Sequence, residues 1–214
     1  MLIPVFATAH NLSGANARFV EGLDGLAVIP YMYLGAKHMV TGYDHLLYLV
    51  GVVFFLLRLK DVLLYVSLFT LGHSITLMGG VLLEWNVNAY LIDAIIGLSV
   101  AYKAFENMNG FKQVFGFTLN ARAAVLIFGL FHGLGLATKL QGLSLSADSL
   151  VINMLSFNVG VEIGQALALA CIVVILGQWR QRNSFQKQAF AANTVLMSLG
   201  FMLAGYQFSA YLWA

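Results

Sequence analysis

Apolar runs follow one another almost without interruption from residue 39 to the end of the chain. A helix needs about 20 such residues to cross the hydrocarbon core of a bilayer. Six stretches qualify once isolated polar residues are accepted inside them: 39–58, 62–83, 89–106, 122–140, 150–178 and 190–213. The pattern predicts an all-α, polytopic membrane helix bundle of about six transmembrane helices. Short connections at 59–61 and 84–88 make the first three spans antiparallel neighbours. Residues 1–37 read as an outer N-terminal segment and 38–214 as the transmembrane domain. Within the former, Phe19, Val20, Leu23, Leu26 and Ala27 recur at helical spacing opposite Arg18, Glu21 and Asp24, which suits a short helix lying in the outer interface. A plain loop fits equally, because Gly22 and Gly25 weaken the helix. Tyr211 and Trp213 are placed as interfacial anchors.

Charge sets the orientation. Only 9% of the 214 residues are charged, against roughly 25% in a soluble domain, and the mean hydropathy is +0.84. Lipid is therefore the main solvent. Arg58 and Lys60, then Lys103, Lys112 and Arg122, then Arg180, Arg182 and Lys187 flank alternate turns, whereas Glu84 and the Lys139/Asp148 pair flank the others. Basic loops face the cytoplasm, so both termini are expected on the outer, periplasmic side of a bacterial inner membrane, with Arg18 and Lys37 dissenting. The scattered basic residues are no footprint for nucleic acid. Nothing at the start has the basic n-region of a removable signal peptide, and the single cysteine, Cys171, leaves neither an intramolecular disulfide nor a Cys-rich metal site.

An ionisable side chain inside a membrane costs about 2.5–3.5 kcal/mol on insertion scales, and such residues are usually retained for function. His38, Asp44, His45, His73, His132 and Glu162 all fall in or at the edge of spans, with Thr70, Ser74, Asp93, Ser99, Asn158 and Gln165 as supporting polar residues. At about 1.5 Å per residue, His45 lies about 20 Å above Arg58, His73 about 18 Å above Asp61 and His132 about 15 Å above Arg122. Three histidines thus reach one level and can share an ion, for which neutral imidazole suits nickel, cobalt, zinc or copper(II). Asp44 either completes that shell or accepts the second ring N–H of a ligating histidine. On a straight helix His38 lies about 10 Å from His45 and is expected at a separate outer position. Asn158, Glu162 and Gln165, at i, i+4 and i+7, form one polar stripe that must face protein or water. The small-xxx-small pairs Gly129/Gly133 and Gly160/Gly164 allow close helix packing. Lys103 and Glu106 are spaced to pair, and the methionines, Met39, Met78 and Met154 included, read as packing.

At these residues the chain resembles the HupE/UreJ family of bacterial membrane proteins. The pattern G-x-x-H-x-x-x-G-x-D-H-L-L falls on Gly35, His38, Gly42, Asp44, His45, Leu46 and Leu47. F-T-x-x-H-S-x-T-L follows at Phe69, Thr70, His73, Ser74, Thr76 and Leu77, then F-G-L-x-H-G-x-G from Phe128 to Gly135 and F-N-x-G-V-E-x-G-Q from Phe157 to Gln165. Asp93 stands where an acidic residue, often Glu, is similar in the family, and Ser99 retains a third-span serine. The resemblance implies uptake of nickel, with cobalt or copper suggested for some members.

The leading expectation is a permease or channel in which His38 receives the ion, Asp44, His45, His73 and His132 hold it, and Glu162 with Asn158 passes it on. Capture outside would use His10, His38 or a separate metal-delivering protein, and a homo-oligomer is an open alternative. An intramembrane zinc hydrolase, with Glu162 or Asp44 as general base, and an accessory subunit of a membrane complex are the competing readings.

Overall fold

The computed structural model describes residue 22 and residues 25–141 and 149–213. The expected interfacial helix, His10 and Asp148 lie outside them. Eight helices and no strand occur among the described residues: α1 Val28–Thr41, α2 Tyr43–Val53, α3 Leu59–Leu82, α4 Ala89–Asn107, α5 Gly110–Phe115, α6 Ala121–Gln141, α7 Leu150–Arg180 and α8 Phe185–Trp213. Four of them, α3, α6, α7 and α8, are long and apolar enough to cross a membrane. Of the other two expected spans, α2 is apolar but only 11 residues long, and α4 carries Asp93, Lys103 and Glu106 in its 19 residues.

The first span departs from expectation. Instead of one helix over 39–58, the chain is helical from Val28, breaks at Gly42 and restarts at Tyr43. Gly42 is extended at φ −75°, ψ 100°, and its N–H still bonds to the carbonyl of His38 at 2.9 Å. A Cβ on Gly42 would stand 3.0 Å from both that carbonyl oxygen and the Nδ1 of His45, so glycine suits the crowded break. The 107–121 connection also holds more structure than expected: α5 packs Phe111 against Tyr102 and Phe105, with ring centroids 4.9 Å apart in each pair.

Packing follows the small residues. The longer helices associate as three close pairs, α1 with α7, α3 with α6, and α4 with α8. Lipid supplies no hydrophobic drive between helices, so close backbone approach takes over. A Cβ on Gly133 of α6 would overlap the carbonyl oxygen of His73 on α3, and one on Gly160 of α7 would overlap that of Met32 on α1. Both glycines belong to the small-xxx-small pairs read from the sequence. Between the pairs lies α2, which touches α1, α3, α4, α7 and α8 and buries Asp44, His45, Tyr48, Leu49, Gly51, Val52 and Val53.

A helix this short leaves most of its terminal carbonyls without intrahelical partners. Arg180, at the end of α7, supplies them: its guanidinium donates to Phe54 O at 2.7 and 3.1 Å, to Leu56 O at 3.0 Å and to Val53 O. Asn107 donates to Gly51 O at 2.8 Å beside this end. The basic-flanked turns after α2, α4 and α7 therefore converge. At the opposite end Asn153 of α7 ties down the start of α1, accepting from Ala27 N and donating to Gly25 O, each at 2.9 Å.

Two stability outcomes follow. Gly133→Ala is expected to force α3 and α6 apart and cost about 1–3 kcal/mol or more, whereas Gly177→Ala, where no atom lies within 4 Å of the added Cβ, is expected within about 0.5 kcal/mol of wild type; thermal unfolding in one detergent compares them. Arg180→Ala should lower stability by about 1.5–3 kcal/mol through loss of charged hydrogen bonds, and Arg180→Lys should recover only part, because an ammonium lacks the planar fork.

Candidate metal centre

The break at Gly42 changes the relation between the histidines. Seven residues on a straight helix would separate His38 from His45, but with the axis redirected their rings sit 5.0 Å apart, edge to face. His38 thus joins the deeper group instead of occupying a separate outer position. His45, at the start of α2, is the hub: its ring lies 4.8 Å from that of His132 on α6 and 5.8 Å from that of His73 on α3. His45 and His132 are fully buried and His73 is 1% exposed. His45, His73 and His132 thus meet at one level, as their rise per residue implies, and the helix break brings in the fourth.

The tightest donor set is an oxygen of Asp44 with one ring nitrogen each from His45 and His132, all within 4.8 Å of one another. Asp44 Oδ1 is 3.1 Å from His45 Nδ1. A carboxylate can only accept, so in the neutral ring Nδ1 carries the proton and Nε2 the lone pair, the arrangement expected when a carboxylate orients a ligating imidazole. Both ring nitrogens of His73 and Nδ1 of His132 are buried with no hydrogen-bond partner among the described residues. An unsatisfied buried polar group costs about 1–3 kcal/mol, so several of them converging on one point suit a site that is completed by a bound cation.

Apolar rings close the site. Phe69 packs on His132 at 4.9 Å and on His73 at 6.2 Å, and Phe157 lies 6.2 Å from His38. Tyr48 was not singled out from the sequence. Its ring is 5.3 Å from that of His132, and its buried hydroxyl has no partner among the described residues. The available signal was its position three residues after His45, on the same face of α2.

Apart from Ser99, the remaining polar residues do not join the cluster. Asp93 forms an ion pair with Lys139 at 2.7 Å, and Lys103 pairs with Glu106 at 2.7 Å as the spacing predicts. Thr70 donates to Gln165 at 2.8 Å and Ser74 to Asn158 at 3.4 Å, which latches α3 to α7. Glu162, counted from the sequence among the metal residues, stands apart from the histidine cluster. It is exposed and lines, with Thr70, Ser74 and Gln165, a groove of about 740 Å³ between α3 and α7. From Asn158, four residues rotate the side chain by about +40° and seven by about −20°. Glu162 is thereby turned out into the groove while Asn158 and Gln165 stay buried. Ser99, on α4, reaches His132 Nε2 at 3.2 Å.

A family model described as HupE / UreJ protein matches residues 15–214. No curated protein and no solved structure matches the chain. The matched region contains every helix that contributes to the histidine cluster, together with the long apolar helices around it. The chain belongs to the HupE/UreJ family and is a membrane protein of metal transport.

Proposed function

We propose that the chain is an uptake permease for a divalent transition-metal ion in the bacterial inner membrane, crossing it about six times with both termini outside. The observation that carries this reading is the buried convergence of four imidazoles and one carboxylate, His38, Asp44, His45, His73 and His132, around a hub on the short central helix. Such a donor set is borderline in softness and leans slightly toward nickel or cobalt. Copper(I) would want sulfur, and Met39 and Met154 are packed in an apolar cluster with Leu34, Leu49 and Phe157.

Transport needs release as well as capture. A constellation in which several neutral imidazoles can exchange places around one ion provides binding at many partial sites in preference to one closed cage. The groove holding Glu162 supplies a further carboxylate, and side-chain hydrogen bonds from Thr70 to Gln165, from Ser74 to Asn158 and from Gln165 to Val66 O cross that seam. The convergence of basic turns near Arg180 supports placing that end in the cytoplasm. A zinc hydrolase would need a general base directed at a metal-bound water; Glu162 is turned outward and Asp44 is engaged with His45, which favours the permease.

His45→Ala and His132→Ala are expected to abolish metal accumulation in cells and to reduce metal bound to purified protein by more than the about 10–100-fold that follows loss of an outer-shell partner. Normal accumulation by either variant, inserted at wild-type levels, would overturn the proposal. Glu162→Gln is expected to separate the two readouts, leaving bound metal close to wild type while slowing accumulation; radiometal uptake and elemental analysis of the same preparations make the comparison.

A further inference from the structure

Helix α4 carries no histidine, yet it reaches the cluster through one hydroxyl. Ser99 is fully buried, with its Oγ 2.6 Å from Ile96 O and 3.2 Å from His132 Nε2. A hydroxyl has one proton. Ile96 O is a carbonyl and can only accept, and its contact is the shorter by 0.6 Å (3.2 minus 2.6), so the Ser99 proton belongs there. The longer contact must then run the other way: His132 donates from Nε2–H to a lone pair on Ser99 Oγ. A neutral imidazole has a single N–H, which leaves the lone pair on Nδ1, the nitrogen that is buried without a hydrogen-bond partner among the described residues.

We propose that Ser99 is a positioning residue of the centre, which holds His132 in the Nε2–H tautomer and so commits it to present Nδ1 to the ion. The inference rests on reading His45 and His132 as ion ligands. It makes them opposite in sense. Asp44 takes the Nδ1 proton of His45, directing Nε2 inward, while Ser99 takes the Nε2 proton of His132, directing Nδ1 inward.

The two outer partners also differ in kind. A carboxylate raises the basicity of the imidazole that it accepts from, whereas a neutral hydroxyl does so weakly. His132 is accordingly the weaker donor of the two and the one suited to let go first when the ion moves. Ser99 itself does not touch the ion, and its effect is exerted through the ring that it orients.

The test starts with metal-free wild-type protein labelled with ¹⁵N-histidine, in which long-range ¹H–¹⁵N correlations report each ring's tautomer and loss of one signal set in His132→Gln assigns it. The Nε2–H form is expected for His132, and a dominant Nδ1–H form would overturn the proposal. Ser99→Ala is expected to give a mixture of tautomers and to weaken Co²⁺ binding by about 10–100-fold, while Ser99→Thr, which keeps the hydroxyl, is expected to retain both the tautomer and the affinity. Unchanged tautomer and affinity in a folded Ser99→Ala protein would also overturn it. If wild-type protein binds neither Co²⁺ nor Ni²⁺, the permease reading fails, and the tautomer of the metal-free ring still decides the role of Ser99.

Discussion

At Gly42 the chain leaves helical geometry for a single residue, and the site depends on that step. Before it, α1 runs against α7; after it, α2 enters the space between the three helix pairs. The redirection of the axis brings His38 within 5.0 Å of His45, and His45 in turn faces histidines from α3 and α6. An unbroken helix would keep the two histidines of the first span on one face at different depths. A glycine is suited to the position because the carbonyl of His38 and the ring of His45 leave little space for a side chain.

The short helix created by the break carries an energetic cost that neighbouring helices offset. Carbonyls at and just beyond its C-terminus need partners in an apolar environment, and Arg180 donates to three of them, those of Val53, Phe54 and Leu56, from one planar fork. Asn153 serves the other end of the broken unit at Ala27 and Gly25. These long-range hydrogen bonds, together with the glycine contacts that seal α1 to α7 and α3 to α6, hold the imidazole rings at fixed separations. Both ring nitrogens of His73 and Nδ1 of His132, which have no hydrogen-bond partner among the described residues, remain available to a cation.

Polar residues inside the bundle thus divide by partner. Asp93 and Lys139 neutralise each other, as do Lys103 and Glu106. Thr70, Ser74, Asn158 and Gln165 join α3 to α7. What remains is the group around His45, with Glu162 apart from it in a groove. A membrane-embedded charge with a close opposite charge has a structural explanation; a cluster of imidazoles beside one carboxylate, with both ring nitrogens of His73 and Nδ1 of His132 lacking a hydrogen-bond partner among the described residues, suits a bound cation. That distinction supports the assignment of the centre more than the presence of any one histidine does.

Most of the architecture was legible in the chain itself, because hydrophobic length and glycine spacing act locally: α3, α4 and α6 fall where the apolar runs place them, and Gly133 and Gly160 make the approaches that their spacing implies, whereas the first turn lies at 54–58, ahead of the expected 59–61, and α3 and α4 pair with α6 and α8 in preference to each other. The common level of His45, His73 and His132 was also legible, since rise per residue converts sequence distance into depth. Three things required the tertiary structure. The helix break depends on what surrounds Gly42, so helix geometry alone separates His38 from the group that it adjoins. The outward turn of Glu162 depends on a rotation of a few tens of degrees relative to a neighbour that the sequence does not position. The contacts of Ser99, Arg180 and Asn153 join residues on different helices or far apart in the chain. Periodicity and length determine which residues share a helix and at what depth; which of them meet is decided by the azimuth of each helix against the others, and that is set by packing.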